Sequence, residues 1–132
     1  MITLHRLLSG FVFVAVVVSL IVLRQEKGPP PTDVWFQESV LESAKPVVVK
    51  FGAEWCGPCR SMDAAIKELR PKLSNRVEFL FVDIDQKPEL FRHYRSGSGI
   101  PQVLIFQQGK VVSSQRGFGS RQQLESWIDQ SI

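Results

Sequence analysis

Histidine and cysteine are scarce in this chain, which has two of each among its 132 residues. His5 lies in an apolar segment and His93 stands alone on a polar stretch, so neither adds a second ligand pair to Cys56 and Cys59. A structural zinc site takes about four nitrogen or sulfur ligands, usually supplied as two such pairs. The composition therefore argues against a metal centre, and we expect no metal.

Runs of lysine and arginine are also lacking, although the formal net charge is +3. From Asp33 onward the chain carries 13 basic and 12 acidic side chains, so no basic stripe is available to follow a phosphate backbone. The sequence has no internal repeats and no low-complexity segments. A chain of this length can bury one core of about 100 residues beside an appendage. We expect one domain, acting as a monomer, with no nucleic-acid partner.

The appendage is the N-terminal segment. Residues 7–23 read LLSGFVFVAVVVSLIVL, a run without a charge that is long enough, at about 1.5 Å per residue, to cross a thin bilayer as a helix. The run predicts a transmembrane signal anchor over 7–23, between a short tail over 1–6 and a proline-rich linker over 24–31. A cleaved secretory signal peptide is the alternative. The apolar run continues past the small residues at 17–19, and no A-x-A pattern precedes Arg24, which favours the anchor.

The charges that flank this run do not set its orientation. The amino terminus and Arg6 stand on one side, against Arg24 and Lys27 on the other. A very short tail before a single apolar run is, however, typical of an export signal. We therefore expect a single-pass membrane protein whose domain lies on the non-cytoplasmic side, where disulfides persist and where two cysteines leave no spare thiol to pair wrongly.

The only two cysteines lie in the motif Trp55-Cys56-Gly57-Pro58-Cys59. On a helix this spacing places both sulfurs on one face, so a disulfide between them needs little backbone movement. At a helix N-terminus, unpaired N–H groups and the macrodipole lower the pKa of the Cys56 thiol and favour a thiolate that can attack a disulfide. Gly57 allows a substrate backbone to approach, and Pro58 has a φ suited to the first helical turn. Cys59, one turn deeper, would resolve the mixed disulfide.

Two other interpretations of this motif are a zinc half-site and a structural disulfide. The first lacks further ligands, as described above. The second would close so short a loop that it would stabilise the fold little. The motif therefore predicts a redox-active pair.

From Thr32 to the C-terminus, helical and strand patterns alternate. Thr32 is a candidate N-cap for the first helix and Ser120 for the last. The predicted elements are a helix over 33–43, a strand over 47–51, a helix from the cysteine motif through 73, a strand over 77–84, a short helix over 88–94, a hairpin with strands over 103–106 and 111–115, and a final helix after Ser120. Strands that alternate with helices before a terminal hairpin predict an α/β fold with a mixed sheet.

Three segments resemble the thioredoxin family in sequence and in order. They are AEWCGPCR at Ala53–Arg60, VDID at Val82–Asp85 and GIP at Gly99–Pro101, within a resemblance that covers residues 32–132. The resemblance implies a thioredoxin fold, with a central mixed sheet of about four strands flanked by helices and, in this chain, preceded by the transmembrane helix. It also implies a thiol:disulfide oxidoreductase that acts on protein disulfides and needs no organic cofactor.

The same resemblance assigns roles within the site. Cys56 would be the nucleophile and Cys59 the resolving cysteine, while Pro101 would be a cis-proline that faces the pair. The neighbouring backbone would then bind an extended substrate segment. The residues expected to rim this substrate groove are Trp55, Gly57, Pro58, Gly99, Ile100, Pro101 and Gly117. Four of them, Trp55, Gly99, Ile100 and Gly117, could instead be packing or turn residues only, and the alternative for Pro101 is an ordinary trans-proline.

Several positions depart from the family pattern. The family has a buried carboxylate on the central strand, six residues before the first cysteine, and a lysine paired with it on the next strand. Here these positions are Lys50 and Phe81, so the usual proton relay does not carry over. One hypothesis is that the Lys50 ammonium reaches inward, stabilises a Cys59 thiolate and makes the disulfide more oxidising. The alternative is that Lys50 extends along the sheet to solvent. Gly52 replaces a bulky aromatic residue, and prolines in 28–31 replace the first edge strand.

The sequence thus predicts a membrane-tethered, thioredoxin-like enzyme that exchanges disulfides with protein clients. A Gly-Pro pair between the cysteines resembles the reducing members of the family, so a reductase is the first interpretation. Outside the cytoplasm, a reductase would need a membrane thiol protein as its electron donor. The alternatives are a disulfide oxidant or isomerase, and a non-catalytic membrane-tethered module that holds a client in its groove.

Overall fold

The computed structural model describes residues 14–16 and 27–132. In its main part a four-stranded mixed sheet is flanked by helices on both faces. The elements, in chain order, are α1 (Val34–Phe36, continued by a π-helix at Gln37–Leu41), β1 (Val47–Gly52), α2 (Gly57–Leu73), β2 (Glu78–Asp83), α3 (Pro88–Tyr94), β3 (Gln102–Gln107), β4 (Lys110–Arg116) and α4 (Arg121–Ser131).

The sheet has the strand order β2-β1-β3-β4. Strand β1 pairs in parallel with β2 and antiparallel with β3, and β3 and β4 form the antiparallel hairpin. The central strand β1 is buried along its whole length, as expected for a β-branched run covered on both faces. The predicted mixed sheet of about four strands is therefore confirmed.

Alternation along β1 divides the core into two apolar layers. Val48 faces a layer made with α2 and α4, to which Ile66 and Leu124 belong. Val47 and Val49 point to the opposite face and pack under α1 and α3. Because side chains alternate along a strand, Lys50 lies on the same face as Val48, beneath α2. This geometry places a lysine on the side of the sheet that carries the cysteines.

The helix starts agree with the sequence except at the first helix. Ser120 caps α4, and its hydroxyl accepts a hydrogen bond from the backbone N–H of Gln123 at 3.2 Å. The first helix is capped by Asp33 rather than by the predicted Thr32, since the Asp33 carboxylate accepts from the backbone N–H of Phe36 at 2.8 Å. That helix also ends earlier than predicted, because it widens into a π-turn in which the N–H of Glu42 donates to the carbonyl of residue 37.

The N-terminal predictions fall largely outside the described residues. The tail over 1–6 lies wholly outside them, and the anchor over 7–23 does so apart from residues 14–16. Within the part of the chain that the structure describes, no helix has the length and apolar character needed to span a membrane. The described part of the linker, residues 27–31, forms no strand, in agreement with the predicted loss of the first edge strand.

Candidate active site

The two cysteines form a disulfide at the start of α2, with their Cα atoms 5.2 Å apart. Cys56 is the N-cap of the helix, and its sulfur accepts a hydrogen bond from the backbone N–H of Cys59 at 3.2 Å. Cys59 is completely buried, whereas Cys56 retains a small accessible surface. The sulfur of Cys56 is therefore the one that an incoming thiol or disulfide can reach.

The local sequence explains why the helix starts at this cysteine. The backbone N–H of Cys56 donates to the carbonyl of Ala53 at 3.2 Å, which closes the turn after β1. Pro58 occupies the first turn of α2, where its missing N–H costs no helical hydrogen bond. The N–H of Cys59 points toward the Cys56 sulfur, so the start of the helix favours a negative charge there when the disulfide is reduced.

The loop before β3 and the end of β4 form a cleft of about 310 Å³ near the disulfide. Ile100 packs against a small apolar cluster that contains both cysteines, and this contact joins the cleft to the redox pair. The Ile100–Pro101 peptide bond is cis. The N–H of Gly117 donates to the carbonyl of Pro101 at 3.2 Å, which ties the end of β4 to the proline loop. The residues that line the cleft are Ser98, Gly99, Ile100, Pro101, Arg116 and Gly117.

The other residues expected at the groove flank or separate the two cysteines in sequence. Gly57 and Pro58 are exposed in the first turn of α2. Trp55 has 67% of its surface exposed, although its indole N–H donates to the carboxylate of Asp85 at 2.8 Å. None of these three residues lines the cleft beside Pro101. Of the expected groove residues, Gly99, Ile100, Pro101 and Gly117 line the cleft, and Trp55, Gly57 and Pro58 are exposed next to the cysteines in the chain.

Lys50 is buried, with 5% of its surface exposed. Its ammonium forms an ion pair with Asp63 of α2 and lies 5.0 Å from the centre of the Phe81 ring. The side chain thus points beneath α2 and not along the sheet to solvent. Of the two arrangements expected from the sequence, the structure has the inward one.

Gly52 leaves open the space between this ammonium and the cysteines. The Lys50 Nζ and the Cys59 Sγ each lie 3.1 Å from the point that a Cβ at residue 52 would occupy. The distance between nitrogen and sulfur is therefore at most twice 3.1 Å, or about 6 Å. A larger residue at this position would separate the two groups.

Two residues of the site were not anticipated from the sequence. Asp63 lies four residues after Cys59 and therefore on the same face of α2. This spacing could have indicated an acidic partner for the lysine of the central strand, with which Asp63 forms an ion pair. Gln102 is fully buried and binds the loop that precedes Pro101. Nothing in the pattern of β3 distinguishes Gln102 from a surface glutamine, because its role depends on where the loop folds.

Metal-binding side chains do not gather in the described part of the chain, where no group of three or more His, Cys, Asp or Glu residues could hold an ion. His93 lies in α3, with its ring 4.6 Å from that of Tyr94. Burial, with a smaller effect of the nearby Lys27 charge, lowers the pKa of His93. The histidine is thus a packing residue on the far side of the sheet from α2.

Comparison with known proteins agrees with this geometry. The thioredoxin family model matches residues 30–130. The thioredoxin of Rickettsia typhi is 38% identical over 101 residues, which cover 76% of this chain and 95% of that protein. The thioredoxins of Rickettsia bellii, at 39% identity, and of Rhodospirillum rubrum, at 36%, match over the same length and cover 95% and 96% of the relatives. With its cysteine pair at the start of α2, this chain belongs to the thioredoxin family and is a protein-disulfide oxidoreductase.

Proposed function

We propose that the protein reduces disulfides in protein clients while it is tethered to a membrane. The observation that supports this function best is the position of the cysteine pair. The sulfur of Cys56 stands at a helix N-terminus, and Ile100 of the Pro101 cleft packs against the apolar cluster that contains both cysteines. An extended client segment bound in the cleft would bring its own disulfide against Cys56.

The reaction consists of two thiol–disulfide exchanges. The Cys56 thiolate attacks one sulfur of the client disulfide, forms a mixed disulfide and releases the other client sulfur as a thiolate that takes a proton from water. The Cys59 thiol loses its proton, and its thiolate attacks the Cys56 sulfur. The second client thiolate leaves and is protonated. The client gains two electrons and two protons, and the protein is left with the Cys56–Cys59 disulfide.

Continued turnover requires an electron donor. A thiol protein in the same membrane would reduce the disulfide by the reverse sequence of exchanges, starting at the Cys56 sulfur. The apolar run over 7–23 supports a single-pass tether. A domain on the non-cytoplasmic side, where disulfides persist, suits a chain whose two cysteines leave no spare thiol to pair wrongly. The proline-rich linker would keep the groove close to the membrane surface.

The test compares the wild-type protein with Cys56→Ser in the reduction of a disulfide-containing protein by dithiothreitol. We expect Cys56→Ser to reduce the rate to that of dithiothreitol alone. Cys59→Ser is the matched variant, because it keeps the nucleophile and should accumulate a covalent complex with the client that excess dithiothreitol releases. Equal rates for wild type and Cys56→Ser would eliminate this function and leave the non-catalytic client-binding module.

A second direction of reaction is favoured by one observation, the buried Lys50 ammonium near Cys59. A cation there stabilises the reduced pair and so makes the disulfide a better oxidant. An oxidant or isomerase would use the same two exchanges in the opposite order. The reduction potential of the purified protein, measured against glutathione, decides between the directions. A value near that of reducing thioredoxins supports the reductase, and a much less negative one supports the oxidant.

A further inference from the structure

A second cleft, lined by several charged side chains, lies next to the cysteine pair. It has a volume of about 490 Å³ and opens to solvent, and its lining includes Gly52, which the Cys59 sulfur approaches. Its lining residues are Lys50, Gly52, Ala53, Glu54, Arg60, Asp63, Phe81, Val82 and Asp83. Cys59 is the cysteine whose thiol must lose a proton in the second exchange, so charges in this cleft act on the resolving step.

Lys50 is the buried charge of this set. Its ammonium is within about 6 Å of the Cys59 sulfur, with only the space left by Gly52 between them. At such a distance in a partly dehydrated site, a positive charge attracts a thiolate far more strongly than it would in water. The Lys50 ammonium therefore favours the ionised form of Cys59 and the reduced state of the pair.

Asp63 opposes this effect because it is paired with the same ammonium. Its carboxylate side chain is 41% exposed, whereas that of Lys50 is 6% exposed. The carboxylate compensates the buried cation, and it also holds the ammonium beneath α2. Removing Asp63 would leave the cation unbalanced, and removing Lys50 would leave a carboxylate on the Cys59 side of the helix.

Of the other charged residues lining the cleft, Glu54 is exposed, and Arg60 and Asp83 make polar contacts with the backbone. Arg60 donates to the backbone carbonyl of Glu54 at 3.2 Å. The carboxylate of Asp83 accepts from the backbone N–H of Asp85 at 2.9 Å. Arg60 and Asp83 carry opposite charges, and each has a polar contact with the backbone rather than with the Lys50 ammonium. Lys50 and Asp63 are thus the directly paired charges of this cleft.

We propose that Lys50 and Asp63 form an opposed charge pair that sets the acidity of Cys59, and through it the reduction potential of the disulfide. Lys50 favours the thiolate, Asp63 limits that effect, and Gly52 keeps the space between nitrogen and sulfur open. The proton lost by Cys59 is released to solvent. The proposal deepens the proposed function, on which it rests, by naming how the resolving step is regulated.

The test is a double-mutant cycle in the full-length protein, made of Lys50→Met, Asp63→Asn and the variant that carries both changes. Reduction potentials are measured by equilibration with glutathione, and the acidity of the thiols by their ultraviolet absorbance against pH. We expect Lys50→Met to lower the equilibrium constant for oxidation of glutathione about tenfold, which is about 30 mV for a two-electron couple. Asp63→Asn should raise it, and the double variant should lie between the two single variants.

The pH profile distinguishes this role from a structural one. Resolution of a preformed mixed disulfide should need a higher pH in Lys50→Met and a lower pH in Asp63→Asn than in the wild type. Gly52→Ala should change both readouts in the direction of Lys50→Met, because its Cβ would meet the Lys50 Cε at 2.9 Å and displace the flexible end of that side chain. Lys45→Met is the matched control, since Lys45 is an exposed lysine paired with Glu78.

Unchanged potentials and pH profiles in Lys50→Met and Asp63→Asn would overturn the proposal, as would shifts of the same sign in both. If Lys50→Met fails to fold, Asp63→Asn and Gly52→Ala still test the proposal. Asp63→Asn should make the disulfide more oxidising, and Gly52→Ala should make it less oxidising. These measurements use glutathione and no protein client. A wild-type protein that reduces no client would therefore contradict the proposed function without affecting the outcome of this cycle.

Discussion

At the start of α1, Asp33 makes two contacts that depend on its negative charge. One carboxylate oxygen accepts from the backbone N–H of Phe36 at 2.8 Å, and the other accepts from the Lys87 ammonium at 2.5 Å. The hydrogen bond from Lys87, followed by that from Phe36, lowers the pKa of Asp33 below its ordinary value of 3.8. A lowered folded-state pKa means that this carboxylate stabilises the fold above the unfolded-state pKa, and that the stabilisation is lost as the pH falls through the folded-state pKa.

Replacing Asp33 should therefore have an effect that depends on pH. Near neutral pH we expect Asp33→Ala to lower the free energy of unfolding by about 1 kcal/mol, the usual cost of losing an N-cap. Asp33→Asn keeps a capping oxygen but loses the charge, so it should cost less. Urea unfolding from about pH 7 to about pH 3 measures this, and the difference between wild type and Asp33→Asn should shrink below about pH 4. A difference that stays constant over that range would contradict the assigned role of the charge.

Among the elements, the loop before β3 depends on one buried side chain at the start of that strand. The Gln102 amide oxygen accepts from the backbone N–H of Ser96 at 2.9 Å, and its NH₂ group donates to the carbonyl of Gly99 at 2.8 Å. The same NH₂ group lies 3.4 Å from the carbonyl of Gly97. A single glutamine thus holds the loop that carries Ile100 and Pro101 into the cleft beside the cysteine pair.

Gln102→Leu should loosen this loop without touching the cysteines. The change leaves backbone groups of the loop unpaired, and we expect the protein to lose about 1–3 kcal/mol of stability. The KM for a protein client should rise several-fold, while the rate with a small disulfide should stay near that of the wild type. Gln107→Leu, at the other end of β3, is the matched control. Equal losses with both substrates would mean that Gln102 supports the fold alone.

Some features of these elements could be predicted from the sequence, and others could not. Strand β1 and helix α2 follow from a β-branched run and from a motif that starts a helix, both of which are local signals. The N-cap at Asp33 was missed because Thr32 is also a capping residue, one position away. The roles of Asp63 and Gln102 could not be predicted, since each depends on a partner brought close only by the folded chain. The inward direction of Lys50 was one of two expectations, and only the packing of α2 over β1 decided it.

At the scale of the whole molecule, we expect the fold over residues 32–132 to form independently of the N-terminal run. Both apolar layers of the core are built from residues between Phe36 and Ile132. An uncharged run of the length of residues 7–23 is suited to a bilayer. The proposed tether and the redox domain should then be separable.

A charge placed in the middle of the run tests this separation. Ala15→Arg should weaken insertion, because an arginine at the centre of a membrane helix costs about 2.5–3.5 kcal/mol. We expect the wild type and Ala15→Leu to stay in the membrane fraction after carbonate washing, and Ala15→Arg to appear in the supernatant with unchanged reduction of a soluble client. Intact mass of the purified wild type distinguishes an anchor from a cleaved signal peptide, since only the anchor retains residues 1–23. Release of the wild type by carbonate, with its N-terminus intact, would show that the run does not anchor this domain to a membrane.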